Sequence, residues 1–322
     1  MRKVKINRIN ASLNDEYEVL MCSASFEDRS VCIPNKLKKK KFQKVIILEN
    51  TNGSDLIKNN SKSIGELYKR SAVTVCVDYC DSLSLADRIV KEINTVTTKG
   101  KKLNVLLDIT TFTHETLMIC LKVLRMNNKI KQVTCVYVNA SEYCPGCSIS
   151  NKWLSRGCEN VHPILGYPGM LLPSLKTHLI VIVGYEYNRA FEMISALEPN
   201  SISLVYGSPD DALTEKDQEA NSVFNDLIKQ MAFEFSNIES VTIPCGDPDK
   251  TSLELQKIYD CHENDNIIVV PMNNKMSTLG VELSTRKNEK VQVCYAPAVV
   301  YNESNYSIPG KDCYIFDLDF KG

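Results

Sequence analysis

No stretch of this 322-residue chain reaches the roughly 18 consecutive apolar residues that a bilayer-spanning helix needs, so no membrane span is expected. The opening residues, MRKVKINRIN, are basic but lack the long apolar run of a secretory signal. Net charge is almost absent: 38 Lys and Arg against 39 Asp and Glu leave −1, which gives direct DNA or RNA binding no global electrostatic support. There is one tryptophan and there are four histidines, and neither a GxGxxG run nor a P-loop occurs. No complete catalytic signature is present, which leaves open whether the chain is an enzyme.

Cysteine is not scarce, but its count of 13 is odd, and Cys76, Cys120, Cys135 and Cys294 sit inside apolar runs. Buried free thiols in a reducing, cytoplasmic setting account for that pattern better than a disulfide framework does. The apolar fraction of 43% suffices for real cores, and the length suits two domains.

Short β-branched runs recur at 17–23, 44–48, 73–77, 103–107 and 133–138, as buried strands require. Helical periods at 56–68, 82–93 and 115–126 lie between them. The second half repeats the plan, with strands at 178–183, 201–206, 241–244, 266–270 and 291–295 and helices at 188–197, 217–235, 252–261 and 277–286. Strands alternating with helices predict an α/β fold with parallel pairing. The halves superpose in sequence at a shift of roughly 160 residues, about the length of one domain. Ser25-Phe26-Glu27 falls on Gly184-Tyr185-Glu186, each followed by an arginine, Arg29 or Arg189. Two tandem Rossmann-like parallel-sheet halves related by internal duplication are therefore expected: 1–143, a Gly- and Pro-rich linker at 144–176, and 177–322. The closing YIFDLDF is either a last edge strand or a strand crossing to the other half.

Open parallel sheets bind ligands beyond the carboxyl ends of their strands. After the first strand, Ser25 leaves room for a ligand, Glu27 suits ribose hydroxyls and Arg29 suits a phosphate; a helix cap followed by a solvated ion pair is the plainer alternative. Glu186 and Arg189 repeat the pattern. The segment Asp108-Ile109-Thr110-Thr111-Phe112-Thr113-His114-Glu115 places an acid at a strand end, hydroxyls in the turn and a helix start, a cradle for an anion. The alternative there is a Thr113 cap with Glu115 at the positive helix end. His114 is suited to proton transfer, although no nucleophile pairs with it. The counterpart in the second half holds Asn273 and Lys275.

Residues 108–116 resemble the signature region of the Rossmann-like CARF and SAVED sensor domains. That resemblance implies a cyclic-oligonucleotide ligand made during antiviral signalling, and SAVED proteins similarly fuse two such units. With no effector domain visible, it also implies a protein partner.

Cys144, Cys147, Cys158 and His162 read C-x2-C-x10-C-x3-H, a donor set suited to structural zinc; scattered loop cysteines are the plainer alternative. Trp153 beside Arg156 offers a stacking surface for a base or a plug in the fold. Lys36 and Lys38 to Lys41 form a solvated face or a weak phosphate contact. Three functions fit: a ligand-sensing, nucleotide-binding module of a bacterial defence or signalling system, an enzyme acting on a nucleotide or phosphorylated small molecule, or a non-catalytic protein-interaction subunit.

Overall fold

Val45, Ile46, Ile47 and Leu48 are fully buried, which only a strand covered on both faces achieves. The computed structural model describes residues 1–13, 16–50, 53–97, 100–208, 211–231 and 237–319. The chain runs β1 (Arg2–Lys5), α1 (Ile9–Ser12), β2 (Val19–Ala24), α2 (Cys32–Leu37), β3 (Lys44–Asn50), α3 (Asp55–Tyr68), β4 (Ala72–Val77), α4 (Ser82–Asn94), β5 (Leu103–Asp108), α5 (His114–Met126) and β6 (Ile130–Tyr143). It continues through β7 (Ser155–Cys158), β8 (His162–Pro163), β9 (Thr177–Ile182), α6 (Tyr187–Leu197), β10 (Ser201–Gly207), α7 (Glu215–Met231), β11 (Ile238–Ile243), α8 (Pro248–Cys261), β12 (Asn266–Pro271), α9 (Lys275–Lys287), β13 (Gln292–Tyr295) and β14 (Ala298–Tyr301), and returns in β15 (Ser307–Asp319). Positions 232–235 of the helix predicted at 217–235, and Phe320 of the closing motif, lie outside the described residues.

Two compact units result, one from Met1–Glu142 with the segment from Ser307 onward, the other Tyr143–Tyr306. The first holds the sheet β1-β15-β6-β5-β2-β3-β4 and the second the sheet β11-β10-β9-β12-β13-β8. Within the first, β4, β3, β2, β5 and β6 pair parallel throughout. Within the second, β11, β10, β9, β12 and β13 do the same. Counted along the chain, both central sheets have the order 3-2-1-4-5. Right-handed crossovers then require helices on both faces, because the order reverses at the first strand. The α/β fold and its repetition are thus present in the strand order itself. Each unit has its own apolar core, around Leu20, Ile47 and Leu106 in the first and around Val181, Leu204 and Val270 in the second.

The domain boundaries differ from the expectation in two places. Residues 144–176 are no linker: they belong to the second unit, where β8 pairs antiparallel with β13 and β7 with β14. Positive φ occurs there at Gly146 and Gly166, which lie in turns, at Gly157 within β7, and at Gly169. The loop chemistry read from these glycines and prolines thus holds at Gly146 and Gly166, whereas Gly157 and Pro163 lie in strands of a packed segment. The C-terminal segment is the crossing strand: β15 lies between β1 and β6 in the first sheet, and Tyr314, Ile315, Phe316 and Leu318 are buried there. Of the cysteines expected to be buried, Cys120, Cys135 and Cys294 are, while Cys76 is exposed because it points off the outermost strand, β4.

Candidate functional site

In the first unit the strand order reverses between β2 and β5, so their carboxyl ends flank the crossover. Asp108 is the last residue of β5 and is 2% exposed. Its Oδ1 accepts from the Thr110 hydroxyl at 2.5 Å and from the Thr110 N–H at 3.2 Å. Burial raises its pKa from 3.8 to about 7, against the opposing pull of the Thr110 hydrogen bonds and the Arg29 charge. Thr111, half-buried, donates to the Ser23 carbonyl at 2.7 Å and so stitches the β5 turn to the end of β2. Thr113 caps α5 by accepting from the Thr116 N–H at 3.2 Å. His114 and Glu115 are buried in the first turn of that helix, and Ser82 donates to Glu115 at 3.3 Å. The helix is buried on nearly all sides, as its apolar run requires.

Behind the turn lies a buried ion pair. Arg29 donates to Glu27 Oε2 from Nε at 2.9 Å and from Nη2 at 2.7 Å, and to the Val138 carbonyl at 3.2 Å. Ser307 donates to the same Glu27 oxygen at 2.5 Å. The Val138 N–H in turn donates to the Thr110 hydroxyl at 3.1 Å. Asp108, Thr110, Val138, Arg29, Glu27 and Ser307 thus form one hydrogen-bonded chain across β5, β6 and β15. Ser25 lies at its edge, 9% exposed, with its carbonyl accepting from Asn60 at 2.7 Å. Glu27 and Arg29 are accordingly an interior brace. A guanidinium that is 3% exposed and bound to these groups turns no face outward for a phosphate, which corrects the expectation of ligand arms.

The second unit repeats the brace. Arg189, 1% exposed, donates to Glu186 Oε1 at 2.7 Å, to Ser155 Oγ at 3.0 Å and to the Ala296 carbonyl. Ser155 also donates to Glu186. In each unit an arginine after the first parallel strand grips a backbone carbonyl of the fifth, Val138 within β6 or Ala296 just past β13, and a serine supports its glutamate. The stitch is repeated too, since Asn273 donates to the Val183 carbonyl and, at 3.3 Å, to Asn221. Lys275 is half-buried at the start of α9, which Asn274 caps through the Ser277 N–H at 2.9 Å. Close approach seals this crossover: a side chain at Gly184 would run into the Met272 carbonyl. One feature is not repeated. Where β5 ends on Asp108, β12 ends on Pro271.

The predicted zinc set does not assemble. The Cys144 thiol donates to the Trp153 carbonyl at 2.9 Å, that of Cys158 to the Arg189 carbonyl at 3.6 Å, and His162 Nδ1 faces the Asn160 carbonyl at 2.9 Å. Among the described residues, the one group of three or more His, Cys, Asp and Glu side chains within ligand reach is His178, Glu239 and His262. Sequence spacing gave no sign of it, because its members come from three separate elements. Trp153 does carry a guanidinium on its ring, that of Arg156 at 4.3 Å. Lys40 is spent on the Leu13 carbonyl at 3.1 Å and the Tyr17 ring, so the lysine run is partly an intramolecular clasp.

No family model matches this sequence, and neither does any curated protein. Among solved structures, the complex of leucoanthocyanidin reductase with NADPH from Vitis vinifera aligns with 84% of this chain and 88% of its own, at 10% identity and a TM-score of 0.29. A likeness that slight bears no argument, and the fold rests on strand order. No helix among the described residues is long and apolar enough to cross a membrane.

Proposed function

We propose that the first unit is a ligand-sensing module that binds a phosphate-bearing nucleotide over the β2–β5 crossover. The observation that carries this reading is Asp108. Brace and stitch occur in both units and are explained as structure; the buried carboxyl is confined to one, at the edge where such sheets take ligands. Burying a carboxyl is costly, and a group held near neutral pKa in such a place has a use. Uncharged, it lets an anion settle against Thr111 and the start of α5; ionised, it repels that anion. The hydrogen-bonded chain from Asp108 ends on Ser307, the first residue after the second unit, so the protonation of the site is tied to the point where the polypeptide re-enters the first. That favours a sensor over an enzyme. The finer reading, supported by the resemblance of residues 108–116 to CARF and SAVED sensors, is a cyclic oligonucleotide ligand in a bacterial defence system, with a protein partner to act on the signal.

A melting-shift panel of mononucleotides, linear dinucleotides and cyclic oligonucleotides tests this. At about 100 times its dissociation constant a true ligand adds about 2.7 kcal/mol. Its affinity falls about tenfold between pH 6 and pH 8. Asp108→Asn binds it with no such pH dependence, and Thr111→Asp, which places a fixed negative charge in the turn, abolishes the shift. A flat panel with folded protein, or a shift indifferent to Thr111→Asp, refutes the proposal; product formation during the panel points to an enzyme instead.

A further inference from the structure

We propose that Cys144 and Cys147 form a reversible dithiol–disulfide pair, a redox modification site whose oxidant is a small-molecule disulfide of the glutathione class. The two residues bracket Pro145 and Gly146 in the turn that follows β6. The Cys147 N–H donates to the Cys144 carbonyl at 3.2 Å, and Gly146 takes a φ of 80°, as glycine after proline does in a type II turn. Such a turn holds its first and last Cα atoms within about 7 Å, and a disulfide spans Cα separations of about 4.4–6.8 Å. The thiols differ in access: Cys144 is fully buried and Cys147 half-buried, so an oxidant meets Cys147 first.

A second turn lies against the first in register. The Asn305 N–H donates to the Asn302 carbonyl at 3.2 Å, the same spacing as in the cysteine turn, and the Cys144 N–H donates to the Tyr306 carbonyl at 3.0 Å. Each asparagine amide then serves one sulfur: Asn302 Nδ2 donates to Cys144 Sγ and Asn305 Nδ2 to Cys147 Sγ, both at 3.7 Å. Asn305 also holds the Pro145 carbonyl at 3.2 Å. A donor aimed at sulfur favours the thiolate, which is the attacking form. Lys152, buried, brings a positive charge close by, its Nζ donating to the Tyr143 carbonyl and, at 3.4 Å, to that of Cys144. Burial raises the pKa of Cys144, opposed by its hydrogen bonds with Trp153 and Asn302 and by the Lys152 charge. Both redox states leave the neighbouring carbonyl paired. As a thiol, Cys144 donates to the Trp153 carbonyl at 2.9 Å; with that hydrogen gone, Asn302 Nδ2 still reaches the same carbonyl at 3.1 Å. Oxidation proceeds by exchange. The Cys147 thiol yields its proton to water, and its sulfur attacks one sulfur of oxidised glutathione, forming a mixed disulfide and releasing a glutathione thiolate. The Cys144 sulfur, shedding its own proton, then attacks Cys147 Sγ; the intrachain bond forms and the second glutathione thiolate leaves. The two departing thiolates take up the two protons, so two protein thiols and one oxidised glutathione become one protein disulfide and two glutathione thiols. The site uses nothing of the Asp108 network and stands independently of the nucleotide proposal.

The test incubates full-length protein with oxidised glutathione, alkylates the remaining thiols and maps them by mass spectrometry. The expected result is loss of both the Cys144 and Cys147 thiols to an intrachain bond with no glutathione retained there, reversed by dithiothreitol. Trp153, the only tryptophan, gives a second reading: its fluorescence changes in step with the thiol loss. Cys144→Ser stops at the mixed disulfide and keeps glutathione on Cys147. Cys147→Ser, a change at a half-buried position, leaves Cys144 reduced and the fluorescence constant. Asn305→Ala slows the reaction about threefold, the worth of a weak hydrogen bond to the attacking sulfur. The exposed Cys76, Cys80 and Cys261 show in the same maps that the oxidant is active. Glutathione retained on Cys147 of the parent, both thiols still free once those three have reacted, or oxidation of Cys144 in Cys147→Ser overturns the proposal.

Discussion

Asp108→Asn raises the melting temperature of the first unit at pH 8 by about 6–12 °C, which corresponds to roughly 3 kcal/mol at 2–4 °C per kcal/mol. The reason is the burial of a carboxyl whose pKa climbs from 3.8 to about 7 on folding. A folded-state pKa above the unfolded value means that the acid form is favoured by the fold. The contribution of this group is complete below pH 3.8 and is lost as the pH rises through 7. Above that window the ionised side chain costs about 4 kcal/mol. Asparagine keeps an Oδ1 to accept from Thr110 and carries no charge at any pH, so it recovers most of that cost. At pH 4 the two proteins melt together within about 1 kcal/mol, a difference too small to separate from ordinary surface effects. Thermal unfolding at pH 4, 6 and 8 measures this directly, and a gap that does not widen with pH excludes a raised Asp108 pKa. The trade of stability for a site-specific carboxyl is the pattern that functional groups impose on folds.

The second large effect concerns the braces. Arg29→Met leaves Glu27 buried and charged beside Ser307, and it frees the Val138 carbonyl. Removing one partner of a buried pair costs about 3–5 kcal/mol, or roughly a 6–20 °C loss in melting temperature. The double variant Glu27→Gln, Arg29→Met recovers most of that loss, because no uncompensated charge remains. Arg189→Met destabilises the second unit by a similar amount, since it strands Glu186 in the same manner. Chemical denaturation of the three variants beside the parent decides the matter: a loss below about 1 kcal/mol for either arginine variant would mean that the pair is not braced as described.

The sequence made the architecture legible because strand and helix periods differ and because each buried run is short and β-branched. Ile46 and Ile47 declare a two-sided strand without help from context. The duplication was visible in the alignment of Glu27 and Arg29 with Glu186 and Arg189, but the meaning of those residues was not. A Glu–Arg pair two or three residues apart reads equally well as ligand arms, as a solvated pair, or as a brace. Only the Val138 and Ala296 carbonyls, more than a hundred residues further along the chain in both cases, select the brace. The same limit applies to the predicted zinc ligands. Cys144, Cys147, Cys158 and His162 are close in sequence and bind separate partners, whereas His178, Glu239 and His262 are far apart in sequence and are brought together from β9, β11 and the end of α8. Asp108 was legible as a strand-ending acid, and its burial and its absence from the second unit's equivalent position emerged only with the fold.

The most direct test of the central claim is carbon-detected NMR of the Asp108 carboxyl as a function of pH, with and without the nucleotide that gives the largest melting shift. A midpoint near 7 in the free protein, displaced when that nucleotide is added, is the predicted result. A midpoint near 4, unmoved by nucleotide, would contradict both the buried acid and the ligand site built on it.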